Sequence, residues 1–153
     1  MNLNFKTQGQ GTPLIILHGL FGTLDNWKSI ANHLSSHFQV FILDQRNHGK
    51  SPHISNMDLS SMANDIVAFM DQMNLPNAHI MGHSMGGKVA MQFAFDYPER
   101  LNKLIVLDIA PRAYQPGHLE ILAALRDLPI HSLKNRKEAE EKLLEKIKSA
   151  DTV

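Results

Sequence analysis

The sequence predicts an α/β protein built on one largely parallel sheet. Short apolar runs alternate along the chain with longer segments whose apolar residues recur at helical spacing. Two of the apolar runs end in glycine-rich loops, at residues 18–22 and 82–87. Because strands that alternate with helices connect through right-handed crossovers, this order predicts a doubly wound sheet with helices on both faces.

Apolar runs bounded by turn residues mark the strands. Residues 14–17 (Leu-Ile-Ile-Leu) are continuously apolar, which is typical of a strand buried on both faces. Residues 2–7 alternate polar and apolar side chains and indicate a half-exposed strand. The other predicted strands lie at residues 38–43, 78–81 and 103–107.

Three helices separate these strands. We expect Asp25 to cap the first helix and Asp58 to cap a second helix over residues 59–74. The third helix follows the loop at 82–87 and ends near Tyr97, because Pro98 cannot continue it. The first helix is expected to bury Trp27, Ile30, Ala31 and Leu34.

Composition excludes several classes of protein. The chain has 153 residues, with 15 basic and 15 acidic side chains, so it lacks the basic excess of a nucleic-acid binder or a polybasic membrane protein. It has no cysteine, which excludes disulfides, a thiol nucleophile and cysteine-ligated metal. It shows neither a transmembrane run nor a signal peptide, so a cytoplasmic location is expected, with no metal or cofactor.

The pattern G-x-S-x-G at residues 82–86 predicts a nucleophile. A strand that turns sharply into a helix exposes the Ser84 hydroxyl at the carboxyl edge of the sheet. Gly82 and Gly86 are needed because side chains there would collide in so tight a turn. The N–H of Met85, at the start of the helix, is a predicted donor to an oxyanion.

A second oxyanion donor is expected from the loop that follows residues 14–17. Gly19 allows the backbone to approach closely, and Leu20 is the preferred donor, with Phe21 as the alternative. His18 is expected to hold the loop in shape. Leu20, Phe21, Met85 and Tyr114 could line an apolar acyl pocket, although core packing would explain them equally well.

Asp108 follows the strand at 103–107 and lies 24 residues after Ser84. A serine nucleophile needs a histidine as base, and that histidine needs a carboxylate to orient it. Neighbouring parallel strands would bring Asp108 and Ser84 to one edge of the sheet. From the residues alone, an acid of this kind and a simple loop cap are equally good interpretations.

These motifs resemble the α/β-hydrolase superfamily, with HGLFG at 18–22, DQRNHGKS at 44–51 and GHSMGG at 82–87 in the expected order. The DIAP at 108–111 is similar to that of YbfF-type bacterial acyl esterases and their mitochondrial relatives. The resemblance implies a cofactor-free serine esterase or thioesterase with Asp108 as the acid. It also implies a core over residues 1–115 that contains strands through the sixth, followed by the start of a helical cap over 116–153.

One part of the family pattern is not matched. The resemblance places the catalytic histidine after the last strand of a longer chain, and none of the nine histidines here occupies such a place. We therefore expect a C-terminally incomplete hydrolase of little activity on small acyl esters or thioesters. An exposed sheet edge would favour self-association. The alternatives are a non-catalytic truncated fragment, or a C–C hydrolase or perhydrolase of the same fold.

Overall fold

The structure is a computed structural model that describes residues 1–114, 119–145 and 147. The chain divides into two compact units, Met1–Pro111 and Arg112–Val153. Among the described residues the first unit holds the sheet and its helices, and the second holds two short α-helices with a 3-10 turn at Ile130–Ser132 between them.

A mixed, mostly parallel sheet forms the centre of the first unit. Its order is β1-β3-β2-β4-β5, in which β1 runs antiparallel to β3 and all other pairs are parallel. The described residues hold five strands, at the places where the apolar runs predict them. The strands are β1 (Phe5–Gln8), β2 (Pro13–Leu17), β3 (Gln39–Leu43), β4 (Ala78–His83) and β5 (Leu101–Leu107). The helices between them are α1 (Lys28–Leu34), α2 (Leu59–Gln72) and α3 (Met85–Asp96).

Alternate residues of the central strands face two separate cores. In β2, Ile15 and Leu17 pack with α2 and α3, whereas Leu14 and Ile16 pack with Trp27 and α1. This alternation follows from the period of a strand, and it puts helices on both faces. The predicted α/β architecture is confirmed.

The N-terminal caps of the first two helices agree with the sequence prediction in one case and not in the other. Asp58 caps α2 as predicted, since its Oδ1 accepts a hydrogen bond from Ser61 N at 2.7 Å. The prediction that Asp25 caps the first helix is wrong. Thr23 caps a 3-10 turn at Leu24–Trp27 that leads into α1, and the Asn26 side chain accepts a bond from Thr23 N at 2.7 Å. Because Thr23 and Asn26 satisfy each other's backbone groups, Asp25 is left to pair with a neighbouring lysine.

The second unit carries α4 (Leu119–Arg126) and α5 (Arg136–Leu144). Ala124, Leu143 and Ile147 form its small buried cluster. Asn135 caps α5 by accepting a hydrogen bond from Glu138 N at 3.0 Å. No helix in the described part of the chain is long and apolar enough to cross a membrane.

Candidate active site

Ser84 lies at the sharp turn between β4 and α3. Its backbone adopts φ 51° and ψ −113°, a conformation that residues with a side chain rarely take. Ser84 N donates to Leu107 O at 3.0 Å, and Lys88 N donates to Ser84 O at 3.1 Å. The strand pairing on one side and the helix on the other therefore hold the strained residue in place.

The two glycines of the motif have no room for a side chain. A Cβ on Gly82 would lie 2.1 Å from Gly86 O, and a Cβ on Gly86 would lie 2.4 Å from Leu17 O. Both neighbours are backbone atoms that cannot rotate away. The first turn of α3 is thus packed directly against the end of β2, beside the loop that follows β2.

That loop runs past the serine. A Cβ on Gly19 would lie 3.4 Å from Ser84 Cβ and 3.1 Å from His83 Nδ1. Gly22 N closes the turn by donating to Gly19 O at 3.0 Å. Phe21 has φ 62°, in the left-handed region. The glycine-rich loop and the serine turn therefore lie against each other.

The backbone N–H groups near Ser84 differ in their partners. Phe21 N donates to His48 Nε2 at 3.3 Å and is already engaged. Within the described residues, neither Leu20 N nor Met85 N donates a hydrogen bond to another group of the protein. Leu20 N and Met85 N are the two N–H groups that the sequence predicts as oxyanion donors.

His18 is buried beneath the loop. Its Nε2 accepts a hydrogen bond from Gln45 N at 3.1 Å, so its Nδ1 carries the proton and donates to Gly19 O at 2.7 Å. Burial lowers the pKa of His18 below its ordinary value, which favours this neutral form. The structure places His18 as a support of the loop.

Asp108 lies at the end of β5, one residue past the pairing of His83 with Leu107. Asp108 has φ 54°, and its side chain is 89% exposed. Its Oδ2 lies 3.7 Å from His83 Nε2. Ser84 and Asp108 therefore sit side by side at the carboxyl edge of the sheet, with the carboxylate open to a further partner.

A cavity of about 460 Å³ adjoins the site. Its walls include Leu20 and Phe21 from the loop and His83 from β4, together with three residues that the site prediction missed. These are Asn26, Trp27 and Ile30. Ile30 was expected to be buried but is 45% exposed, because α1 turns it toward the cavity.

Of the other two predicted pocket residues, Met85 does not line this cavity, and Tyr114 belongs to the second unit. The Arg112 guanidinium lies 4.9 Å from the centroid of its ring. No group of three or more potential metal ligands occurs among the residues that the structure describes.

Comparison with known proteins identifies relatives of this chain. The family model described as alpha/beta hydrolase fold matches residues 12–144. The chain is 36% identical to Esterase YbfF of Escherichia coli over 145 residues, which cover 91% of this chain and 57% of that protein. It is 42% identical over 109 residues to sn-1-specific diacylglycerol lipase ABHD11 of Danio rerio, covering 70% of this chain and 34% of that protein.

A solved structure has the same backbone course. An esterase from a marine microorganism superposes with a TM-score of 0.92 at 47% identity, covering 97% of this chain and 60% of that one. The chain therefore spans between about a third and three fifths of the length of these relatives.

Proposed function

The chain belongs to the α/β-hydrolase family, and from that premise we propose that it carries the nucleophile and the oxyanion hole of a serine esterase. The observation that supports this proposal most is the strained backbone of Ser84, together with the N–H groups of Leu20 and Met85, which have no hydrogen-bond partner among the described residues. Strained backbone conformations of this kind are found mainly at functional sites, where the surrounding structure holds them.

In the proposed reaction Ser84 Oγ attacks the acyl carbon of an ester or thioester. The carbonyl oxygen becomes an oxyanion that accepts hydrogen bonds from Leu20 N and Met85 N. One such donor typically lowers the barrier by about 3 kcal/mol. Collapse of the tetrahedral intermediate expels the alcohol or thiol and leaves an acyl-enzyme, which water then hydrolyses.

The substrate is proposed to present an apolar acyl group of modest size. The cavity of about 460 Å³ lies within the range usual for small-molecule sites, roughly 300–1,000 Å³. Leu20, Phe21, Trp27 and Ile30 offer it apolar surface. An acyl chain seated there would place its carbonyl at the loop that holds Leu20.

The proton acceptor for Ser84 is proposed to be a histidine from outside this sequence. None of the described histidines hydrogen-bonds to the Ser84 hydroxyl, although His83 lies beside Asp108. Asp108 is the proposed acid that would orient the incoming imidazole, and its exposed carboxylate leaves room for that contact. The chain by itself should therefore turn over slowly.

Added imidazole tests this proposal directly. We expect free imidazole to accelerate hydrolysis of p-nitrophenyl acetate by the chain beyond the rate with Ser84→Ala, which measures the reaction with imidazole alone. Asp108→Asn should reduce the acceleration, because the carboxylate no longer orients the base. Mass spectrometry after fluorophosphonate treatment should find the adduct on Ser84.

Equal rates for the chain and the Ser84→Ala variant, together with no adduct at any imidazole concentration, would contradict an esterase. That outcome would favour the alternative of a non-catalytic fragment.

A further inference from the structure

The loop at residues 44–52 reaches the proposed oxyanion hole through His48. Its Nε2 lies 3.3 Å from Phe21 N, and its Nδ1 lies 2.9 Å from Arg46 O. A carbonyl oxygen only accepts hydrogen bonds, so Nδ1 must carry the proton. Nε2 is then a lone-pair acceptor, which is the form that Phe21 N requires.

Leu20 lies between two peptide groups that are both anchored. A peptide unit is planar and trans, so the Gly19 carbonyl and the Leu20 N–H point in opposite directions. His18 binds that carbonyl at 2.7 Å and so directs the Leu20 N–H. His48 binds the N–H of the next peptide, at Phe21, and prevents it from rotating.

The conformation of Phe21 needs such a restraint. A φ of 62° on an aromatic residue is sterically unfavourable, and a flip to negative φ would turn the Leu20–Phe21 peptide plane. The Phe21 side chain is 53% exposed and provides little packing to oppose that flip. The hydrogen bond to His48 ties this peptide to a buried residue.

His48 is buried and contacts a second buried histidine. It is 8% exposed, and its ring centroid lies 4.9 Å from that of His18. The Arg46 side chain fixes the loop to α2, because its Nε donates to Asp65 Oδ2 at 2.6 Å and its NH2 group donates to Ser61 O at 2.9 Å. Both partners of the ion pair are buried.

We propose that His48 is a positioning residue of the oxyanion hole, in which Nε2 holds the Phe21 N–H so that Leu20 N stays free and aimed at the oxyanion. This inference rests on the proposed function. It extends that function to a residue that acts through the loop at Phe21 and not as a donor to the oxyanion.

The test compares Ser84 labelling by a fluorophosphonate in the full chain, with imidazole present, among variants of His48. His48→Phe keeps the ring and loses the acceptor, and labelling should slow roughly tenfold to a hundredfold, the cost of a displaced catalytic group. His48→Gln places an amide oxygen near the position of Nε2, and its rate should return to within about threefold of the original chain because a neutral hydrogen bond is restored. His53→Gln, at an exposed histidine of the same connection, is the matched control and should label at the original rate.

Nitrogen-15 spectra of the histidine rings provide a readout that does not depend on reactivity. They should show His48 protonated on Nδ1 alone, and the Phe21 amide should exchange with solvent more slowly than the Leu20 amide. A proton on His48 Nε2 would overturn the proposal, and so would equal labelling of the original chain and His48→Phe. A His48→Gln variant as slow as His48→Phe would also overturn it, since that pattern indicates packing alone. If even the original chain is not labelled, the proposed esterase function fails. The nitrogen-15 spectra then decide by themselves whether His48 Nε2 accepts the hydrogen bond from Phe21 N.

Discussion

Glycine at position 84 should stabilise the fold while it removes the nucleophile. Ser84 adopts φ 51° and ψ −113°, close to the mirror image of extended backbone, a region that glycine enters readily. Such strain costs about 1–3 kcal/mol on a residue with a side chain. Glycine also makes the unfolded chain more flexible, which reduces this gain in the free energy of unfolding by about 0.5–1 kcal/mol.

We therefore expect Ser84→Gly to exceed Ser84→Ala in free energy of unfolding by about 1 kcal/mol, or about 2–4 °C in Tm for a chain of this length. Alanine is the right reference because it lacks the hydroxyl but keeps the strain. Urea titration followed by circular dichroism measures the difference.

The matched control is Ser60, an exposed residue in α2. There the order should reverse, with glycine less stable than alanine by roughly 0.5–1 kcal/mol, because the helix has ordinary dihedrals. If Ser84→Gly is no more stable than Ser84→Ala while Ser60 shows its normal order, the reasoning about backbone strain is refuted.

Three further predictions concern the buried His18, the buried ion pair of Arg46 with Asp65, and the exposed edge of β5. Burial lowers the pKa of His18 below its ordinary value of 6.5. At lower pH the unfolded chain therefore binds a proton that the folded chain does not bind, so the urea midpoint of unfolding should fall as the pH drops below 6.5. The fall should be smaller in His18→Gln. Asp65→Asn leaves Arg46 buried without its ion partner and should cost about 3 kcal/mol in urea unfolding, whereas Asp25→Asn at an exposed pair should show no measurable change. Copies of the chain are expected to associate through the outer edge of β5. Leu104→Lys on that strand should shift the sedimentation coefficient toward that of the monomer. A chain that stays monomeric at every concentration would contradict association through this edge.

The architecture could be predicted because its signals are local. A continuous apolar run such as residues 14–17 has to be buried on both faces, and Asp58 caps α2 through a residue three positions away. Asp25 shows the limit of such signals. Thr23 and Asn26 form a reciprocal cap one turn earlier, and two competing polar residues in one short stretch cannot be ranked without the backbone.

By itself the sequence determined the parallel α/β core and the glycines on which the turn at Ser84 depends, and it predicted Ser84 as the nucleophile. Each of these follows from residues within one or two turns of each other. Only the tertiary structure decided that the N–H of Phe21 has a hydrogen-bond acceptor while that of Leu20 has none among the described residues. His48 lies 27 residues beyond Phe21, and only the folding of the loop at 44–52 against the glycine-rich loop brings the two together. The same reason applies to Ile30 at the cavity, because a helical pattern fixes which residues share a face but not which part of that face the rest of the chain leaves uncovered.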